Sequence, residues 1–214
     1  MEFTGTVDAV RTVGSETVAL EVSAPAAFDA RPGQFVRLSA TVDGTDVARF
    51  YTVSSPETDG EFETTVGLDG GSEEGPDFAG YLADLSSGDE LAVTGPFGDE
   101  YYEGESRAVV LAGGPGVGPT VAIAERAVAA GNEAAVVYRT DAPAHEDRLS
   151  ALRDQGVSVT VTEGAIGAAV ADVVTDADGE QAFVYGFADF VDEAEGALET
   201  AGRNPDEAKV ENFG

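Results

Sequence analysis

The first half of the chain alternates hydrophobic and polar residues in short segments that are rich in Val and Thr. Alternation with a period of two is typical of half-buried strands. It predicts strands over residues 3–13, 17–23, 35–41, 47–54, 62–68 and 91–94. One short helix is predicted over 78–85, after a glycine-rich flexible loop at 70–76. Because short strands follow one another without long helices, this half is predicted to form an antiparallel barrel.

After Gly98 the pattern changes to continuous apolar strands that alternate with helices. The predicted strands cover residues 108–112, 134–138, 157–162 and 181–185, and the helices cover 117–130, 145–155 and 188–201. This alternation implies a parallel sheet with helices on both faces. We therefore predict an antiparallel β-barrel domain over residues 1–102, followed by a parallel α/β domain over residues 103–214.

The charge of the chain is strongly acidic, with 41 Asp and Glu against 11 Lys and Arg and a formal net charge of -30. Nucleic acid and anionic membranes both need a basic surface, so neither is expected as a partner. The absence of Cys excludes disulfides, thiolate nucleophiles and Cys-ligated metal sites within this chain. Dispersed carboxylates with a single Lys favour a solvated surface adapted to a salt-rich, halophilic cytosol. The alternative is an acidic surface that recognises a basic partner.

The N-terminal residues lack the basic and apolar regions of a signal peptide. No apolar run reaches the ~18 residues that a membrane span needs. We therefore expect a soluble, cytoplasmic protein.

The stretch at residues 49–55, which begins on the predicted strand 47–54, combines a cation, a flat ring and a hydroxyl group. Arg49 can hold a phosphate through two parallel hydrogen bonds. The ring of Tyr51 can stack on a flat ring system, and the hydroxyl of Thr52 can bond to a ring nitrogen or carbonyl. Together they suit a ligand with a diphosphate and an aromatic head, such as a flavin nucleotide. The alternative is an exposed strand with a surface Arg and a packed Tyr.

This strand resembles the Arg-x-Tyr-Ser/Thr flavin signature of the ferredoxin–NADP reductase superfamily. Further matches occur in the order of that family over nearly the whole chain. They are Arg31-Pro32-Gly33-Gln34-Phe35, Gly95-Pro96-Phe97-Gly98, Ala112-Gly113-Gly114-Pro115-Gly116-Val117-Gly118-Pro119, Tyr185-Gly186 and Glu211-Asn212-Phe213-Gly214. The resemblance implies a flavin-binding barrel followed by an NAD(P)-binding domain.

The resemblance also implies roles for the residues of the signature. Arg49 is expected to neutralise the FAD diphosphate, and Tyr51 to stack on the isoalloxazine. Thr52 is expected to bond near flavin N5 and to take part in catalysis. Phe50, within the signature, and Phe213, in the Glu-x-Phe ending, are further expected cofactor contacts.

The predicted helix start at Ala79, Gly80 and Tyr81 is the expected diphosphate site. Backbone N–H groups at a helix start favour an anion. The family usually has a Ser where this chain has Ala79. The alternative is an ordinary helix start without a ligand.

A glycine-rich loop follows the first strand of the second domain and opens a helix. Glycines let the backbone approach a diphosphate, and the helix start favours its charge. The resemblance implies that Gly113, Gly114 and Gly116 admit the pyridine nucleotide. Pro115 stands where the family has a Thr and removes a hydroxyl and an N–H. The alternative is a tight turn between a strand and a helix.

Two further positions concern the nicotinamide nucleotide. In the family, an Arg at the position of Arg139 contacts the adenosine phosphate, although pairing with Asp141 is an equal alternative. No acidic residue stands clearly at the end of that strand to bind a ribose diol, which favours NADPH over NADH. Tyr185 occupies the position of a Cys near the reacting nicotinamide carbon. It is expected either to project into the interdomain cleft, as a catalytic-site residue, or to pack against Phe187.

The remaining charged residues predict no chemistry of their own. Asp59, Glu61 and Glu63 are interpreted as one solvated strand face, and His145 as an exposed helix start. Without a metal-ligating set, a triad or an activated nucleophile, the sequence favours a reaction driven by a cofactor.

We therefore predict an FAD-dependent oxidoreductase that passes electrons between NAD(P)H and an acceptor. In the family, hydride passes from the nicotinamide to flavin N5. The acceptor is a redox protein such as ferredoxin or a small molecule such as a free flavin or a quinone. Two alternatives remain. One is an electron-transfer subunit of a larger complex, and the other is a flavin-binding module with a degenerate nicotinamide site.

Overall fold

The structure is a computed structural model that describes residues 1–68, 76–175 and 177–214. Its first half is an antiparallel sheet of six strands, here called the barrel-like sheet. The strands are β1 (Glu2–Gly14), β2 (Thr17–Ser23), β3 (Phe35–Val42), β4 (Thr45–Thr52), β5 (Glu61–Gly67) and β6 (Glu90–Phe97), in the order β4-β3-β6-β1-β2-β5. Helix α1 (Phe78–Ala83) lies between β5 and β6.

The two edge strands of the barrel-like sheet, β4 and β5, approach each other at an isolated bridge between Val53 and Thr64. The sheet therefore curls around its apolar core without closing fully. The predicted turn at Asp43 and Gly44 is confirmed, with φ values of 50° and 78°. A two-residue turn with positive φ at both positions matches the twist of an antiparallel hairpin, and Asp-Gly adopts it readily.

The second half is a parallel sheet of five strands. They are β7 (Arg107–Gly113), β8 (Glu133–Arg139), β9 (Ser158–Thr162), β10 (Glu180–Gly186) and β11 (Lys209–Asn212), in the order β11-β10-β7-β8-β9. The helices are α2 (Val117–Ala129), α3 (Glu146–Asp154), α4 (Gly167–Val173) and α5 (Ala188–Thr200).

Strand β7 shows why the parallel sheet is covered on both faces. Val110 belongs to an apolar core with α2 and α3, and its neighbours Val109 and Leu111 belong to a second core with α4 and α5. Successive side chains of a strand point to opposite faces. A strand that is buried on both faces reads as a continuous apolar run, and this is the pattern of residues 108–112.

The structure confirms the predicted fold class, an antiparallel barrel-like unit followed by a parallel α/β unit. Helix α4 and strand β11 were not predicted. The boundary between residues 102 and 103 remains a prediction, and the ring of Tyr102 packs in the core of the parallel sheet. The predicted loop at 70–76 lies outside the described residues, except for Pro76. Among the described helices, none has the length and apolarity to span a membrane.

Candidate functional site

A cleft of about 480 Å³, here called the main cleft, opens between the barrel-like sheet and the parallel sheet. Its walls come from β3 and β4, from β5, from the start of α1, from the glycine-rich loop and from the end of the chain. The lining residues are Phe35, Arg49, Phe50, Tyr51, Thr52, Thr65, Gly67, Pro76, Asp77, Phe78, Ala79, Pro115, Pro119, Phe187, Glu211, Asn212 and Phe213.

The end of β4 supplies all four residues of the predicted signature to this cleft. Arg49 is exposed, and its Nη1 donates to the carbonyl of the preceding residue at 2.9 Å. Phe50 is 61% exposed and packs edge-on against Phe35, with ring centroids 5.4 Å apart. The predicted cation, ring and hydroxyl therefore do meet at one site.

Tyr51 lies half-buried beside the signature cation. Burial raises the pKa of Tyr51 to about 12, an effect that Arg49 opposes and Asp77 reinforces. The phenol therefore stays neutral at physiological pH. A neutral, partly buried ring beside an arginine is suited to lie against a flat, anionic ligand.

The hydroxyl of Thr52 is bonded to a carboxylate from the far end of the chain. Thr52 Oγ1 donates to Glu211 Oε1 at 3.0 Å, and Thr52 is 7% exposed. Burial raises the pKa of Glu211 to about 7, although the bond from Thr52 lowers it. The other carboxylate oxygen, Oε2, is buried and has no hydrogen-bond partner among the described residues. A buried polar atom without a partner is costly, so this oxygen marks a place for a ligand donor or a water.

Glu211 was part of the predicted Glu-x-Phe ending but was not among the predicted site residues. The signal that could have identified it is a carboxylate two positions before an aromatic residue already assigned to the cofactor. That aromatic residue, Phe213, does line the cleft and packs edge-on against Phe187, with ring centroids 5.9 Å apart.

The start of α1 agrees only partly with its predicted role. Asp77 caps the helix, and the amide of Gly80 donates to Asp77 Oδ1 at 2.9 Å. Ala79 lines the main cleft, whereas the ring of Tyr81 stacks on Phe78 with centroids 5.9 Å apart. Because one amide is already bonded to a carboxylate, this short helix offers an anion fewer donors than expected.

A second cavity, of about 280 Å³, lies at the carboxyl ends of the central parallel strands. Ligands of open α/β sheets bind at this edge. Gly114 has a φ of 53°, lines this cavity, and would not bring an added Cβ within 4 Å of the described atoms. The backbone there can approach a ligand closely.

The other two predicted loop glycines have a different role. An added Cβ at Gly113 would lie 2.5 Å from the ring of Phe190, and one at Gly116 would lie 2.2 Å from the carbonyl oxygen of Tyr185. These two glycines are therefore needed for close packing within the parallel domain. Of the three, Gly114 is the one whose position suits contact with a nucleotide.

Arg139 lines the second cavity, as the prediction requires, but its charge is paired. Its Nη1 bonds to Oε2 of Glu193, and its guanidinium lies 5.2 Å from the ring centroid of Phe190. The alternative partner in the sequence analysis, Asp141, is therefore not the one found in this ion pair.

The expectation that Tyr185 projects into the interdomain cleft is wrong. Its side chain is fully buried in the core between the parallel sheet and α2. The hydroxyl donates to the carbonyl of Glu100 at 3.1 Å, and burial raises the pKa of Tyr185. Because the ring occupies this core, it does not line the main cleft, and the described ring contact of Phe187 is with Phe213.

The residues of the main cleft fit a flavin nucleotide at its ring end. An exposed arginine, a neutral tyrosine ring, a buried hydroxyl and a carboxylate oxygen that has no hydrogen-bond partner among the described residues converge there. At the other end, the carboxylate of Asp77 lines the cleft where a phosphate was expected, and among the described lining residues the cationic side chain is that of Arg49.

Sequence comparison gives an independent result for the first half of the chain. Residues 5–102 match the family described as the oxidoreductase FAD-binding domain. A relative from Methanopyrus kandleri, named a probable dihydroorotate dehydrogenase B (NAD(+)) electron transfer subunit, is 40% identical over 95 residues, which are 44% of this chain and 32% of the relative. The toluate 1,2-dioxygenase electron transfer component of Pseudomonas putida is 31% identical over 136 residues, 61% of this chain and 38% of the relative. The chain thus spans 32% and 38% of the lengths of these two relatives.

Structure comparison extends the likeness to the whole chain. A ferredoxin NADP+ reductase from Neisseria gonorrhoeae, solved with bound FAD and NADP, superposes with a TM-score of 0.80 and 17% identity. The superposition covers 100% of this chain and 99% of that structure. The chain therefore shares the fold of this reductase, and residues 5–102 are similar to the oxidoreductase FAD-binding domain.

Proposed function

We propose that this chain is an FAD-dependent reductase that takes electrons from a nicotinamide nucleotide and passes them to an acceptor. The observation that carries the proposal is the convergence of Arg49, Tyr51, Thr52 and Glu211 on one cleft between an FAD-binding domain and a parallel α/β domain. When bound, FAD supplies the chemistry, because its ring accepts a hydride and releases electrons one or two at a time.

The chain's own residues bind and orient the cofactor. The guanidinium of Arg49 offers charge-assisted hydrogen bonds to phosphate oxygens. The half-buried ring of Tyr51 offers a flat apolar surface, and the phenylalanines around it exclude water from one side of the cleft. Arg49 is the strongest determinant of affinity in this proposal, because the α1 start is partly occupied by Asp77.

Thr52 and Glu211 can hold and move a proton at this site. With a pKa of about 7, the Glu211 carboxyl exchanges its proton near neutral pH. The proton can reside on Oε2, which has no hydrogen-bond partner among the described residues. The other oxygen, Oε1, accepts from Thr52. A group whose pKa lies near the working pH is well suited to general acid–base transfer.

The second cavity is the proposed site for the adenosine end of the nicotinamide nucleotide. Besides Gly114 and Arg139, the lining of this cavity includes three acidic residues, Glu16, Asp141 and Glu163. Asp141 follows the end of β8, where a carboxylate can bond to a ribose diol. Carboxylates repel the 2′-phosphate of NADPH, and the charge of Arg139 is already balanced by Glu193. We therefore propose NADH as the donor, in place of the NADPH favoured by the sequence alone.

The names of two relatives are consistent with this choice. The relative from Methanopyrus kandleri is named for NAD(+), and a relative from Eremothecium gossypii, 35% identical over 91 residues, is named NADH-cytochrome b5 reductase 1. Both matches cover less than half of this chain.

The acceptor is proposed as a class only. The relatives include electron transfer components of larger oxidoreductase systems. The second candidate function is therefore an electron-transfer subunit that acts with a partner chain, and its acceptor is then the redox centre of that partner. The degenerate-site alternative rested on Pro115 and Tyr185. Of these two, Tyr185 is buried away from the cleft. Ferredoxin as the acceptor, a cytoplasmic location and adaptation to high salt stay predictions.

The test is an anaerobic titration of the FAD-loaded protein with NADH and with NADPH. We expect NADH to bleach the flavin absorption band at lower concentration than NADPH. Asp141→Asn should narrow the difference between the two nucleotides. Failure of both nucleotides to reduce the flavin would contradict the proposed function, whereas a preference for NADPH would contradict only the choice of donor.

A further inference from the structure

Two polar side chains of β5, Glu63 and Thr65, face the parallel domain and not the solvent. They are 7% and 6% exposed, although the sequence analysis placed Glu63 on a solvated face. Alternate residues of a strand share one face, so both point in the same direction. Burying a carboxylate is costly unless it is paired and hydrogen-bonded. The partners of Glu63 therefore show which segments are joined at this contact.

Glu63 is bonded by both of its carboxylate oxygens. Oε1 accepts from Arg148 Nη1 at 2.9 Å and from Ser54 Oγ at 3.0 Å, and Oε2 accepts from Arg11 Nη2 at 2.7 Å. Burial raises the pKa of Glu63, whereas Arg148, Ser54 and Arg11 each lower it. These donors compensate the buried charge, and one of them, Arg148, comes from helix α3 of the other domain.

Arg148 is held at both ends of its guanidinium. Nε and Nη2 donate to the two carboxylate oxygens of Glu125 on α2, at 2.8 and 2.6 Å. Nη1 donates to Glu63, and Nη2 also donates to the carbonyl of Ser54 at 2.8 Å. Bidentate pairing fixes the orientation of a guanidinium as well as its position. Arg148 therefore links two helices of the parallel domain to two segments of the FAD-binding domain.

The contact acts on the segment next to the proposed flavin site. Ser54 lies two residues after Thr52, and its amide also donates to the carbonyl of Glu63 at 2.8 Å. A displacement of Arg148 would thus be transmitted to the end of β4, the strand that carries the flavin signature and is here called the signature strand.

A second contact lies beside the first. Nε2 of His145 and Oγ1 of Thr65 are 2.8 Å apart, and His145 is 4% exposed, contrary to the predicted exposed position. The helix start of α2 is also in close contact, because an added Cβ at Gly118 would lie 2.5 Å from Thr65 Oγ1. The two domains are therefore in close contact at Thr65.

We propose that Arg148 is a positioning residue, which fixes the nicotinamide-binding domain against the signature strand and so sets the geometry of hydride transfer. This inference rests on the proposed function. Neither Arg148 nor Glu63 lines the main cleft or the second cavity, so each acts through the segments it joins. A misplacement of ~1 Å between reacting groups can reduce a rate about a hundredfold.

The test compares Arg148→Gln with Arg153→Gln, a matched control. Arg153 lies on the same helix and is exposed, and among the described residues it bonds only to the carbonyl of Val159, at 3.3 Å. Its replacement removes the same charge as the replacement of Arg148. The FAD-loaded proteins are mixed with NADH under anaerobic conditions in a stopped-flow instrument. The measurements are the dissociation constant of NADH, the rate constant of flavin reduction, and the long-wavelength charge-transfer absorption of a nicotinamide stacked on a flavin.

We expect Arg148→Gln to lower the reduction rate constant by about tenfold or more and to weaken the charge-transfer band, with FAD content and NADH affinity within about threefold of the wild type. Arg153→Gln should behave as the wild type. Arg148→Lys keeps the positive charge but cannot form the bidentate hydrogen bonds of a guanidinium. Its rate constant of flavin reduction should therefore lie between those of Arg148→Gln and the wild type. If Arg148→Gln does not fold, Glu63→Gln, which removes the charge on the other side of the contact, is measured in the same way.

A second measurement does not depend on reduction. Hydrogen–deuterium exchange should rise at residues 52–66 in Arg148→Gln but not in Arg153→Gln, with β7 unchanged in both. A reduction rate within about twofold of the wild type, or unchanged exchange at 52–66, overturns the proposal. If neither nucleotide reduces even the wild type, the proposed function fails, and the exchange result alone then decides whether Arg148 holds the two domains together.

Discussion

Thr52 and Glu211 are 159 residues apart in the chain, yet Thr52 Oγ1 donates a 3.0 Å hydrogen bond to Glu211 Oε1. The bond joins the end of the signature strand to the last strand of the parallel sheet. It places a hydroxyl expected to contact the flavin next to a carboxyl with a pKa of about 7. The main cleft is therefore completed only when both domains are folded and in contact.

The raised pKa of Glu211 predicts a pH dependence of stability with a definite sign. Between about pH 4.5 and pH 7 the folded protein keeps the proton on Glu211, whereas the unfolded chain has lost it. The contribution of Glu211 to the free energy of unfolding therefore falls as the pH rises through this window, and it is complete below the unfolded pKa. Urea unfolding at a series of pH values should show that Glu211→Gln removes this component from the wild-type curve. A wild-type and a variant curve that run parallel from pH 4.5 to 7 would contradict the raised pKa.

The hydrogen bond from Thr52 predicts the direction of a second change. Since this bond lowers the pKa of Glu211, Thr52→Val should shift that pKa upward, above about 7. Carbon-13 NMR of the glutamate carboxyl groups measures the titration directly, and the spectrum of Glu211→Gln assigns the signal. Thr41→Val is the control, because the Thr41 hydroxyl bonds to Asp46 at the far end of the same hairpin. An unshifted or lowered pKa in Thr52→Val would show that the bond does not control this carboxyl.

Replacing Arg49 predicts a loss of cofactor affinity. Arg49→Ala should weaken FAD binding by on the order of 1.5–3 kcal/mol, which is about 10- to 150-fold, because a charge-assisted bond to phosphate is lost. Fluorescence titration of the cofactor-free protein with FAD measures the dissociation constant. The matched control is Arg37→Ala, since Arg37 is exposed on the neighbouring strand and does not line the cleft. Equal affinities of the Arg49 and Arg37 variants would contradict the role of Arg49.

The buried position of Tyr185 predicts that its replacement affects stability and not the rate of flavin reduction. Tyr185→Phe should cost about 0.5–1.5 kcal/mol of stability, since the bond to the carbonyl of Glu100 is lost. Tyr185→Ser leaves a cavity in the core and should cost more, about 3–5 kcal/mol. Neither variant should change the rate of flavin reduction per folded molecule. Urea unfolding measures the stability and anaerobic stopped-flow measures the rate. A faster reduction in Tyr185→Ser would contradict the buried position and support a side chain that projects into the interdomain cleft.

The net charge of -30 predicts that salt stabilises the protein. Raising NaCl from about 0.1 M to 1 M shortens the Debye length from about 10 Å to about 3 Å and screens the repulsion among surface carboxylates. The melting temperature should therefore rise over this range. Sucrose at equal osmolality is the control, because it favours the compact state without screening charge. A melting temperature that responds equally to sucrose and NaCl would argue against charge repulsion.

Most of the fold could be predicted from local pattern. The period of two in the first half and the apolar strands in the second half gave the correct class for both sheets. Helix α4 and strand β11 were missed because each is short, and β11 has only half-buried and exposed positions. This edge strand is stabilised by its hydrogen bonds to β10, and the residues of β11 alone do not predict that pairing.

The site was predicted where its residues are neighbours in sequence. Arg49, Tyr51 and Thr52 are neighbours on one strand, so the sequence alone shows that they are close in space. The partners of the polar groups could not be predicted in the same way. Glu63 and His145 were interpreted as solvated, but both are buried, because each lies at the contact between two units that the local pattern describes separately.

The sequence by itself determined the two sheets, the turn glycines and the chemical character of the flavin strand, because these depend on backbone preferences and on alternation over a few residues. Only the tertiary structure decided which face each side chain uses and which distant group it meets. Period two assigns Tyr185 to one of two faces, but the packing of α2 buries that face. Likewise, the proton site at Glu211 and the contact through Arg148 exist only where chain segments far apart in sequence are brought within hydrogen-bond distance.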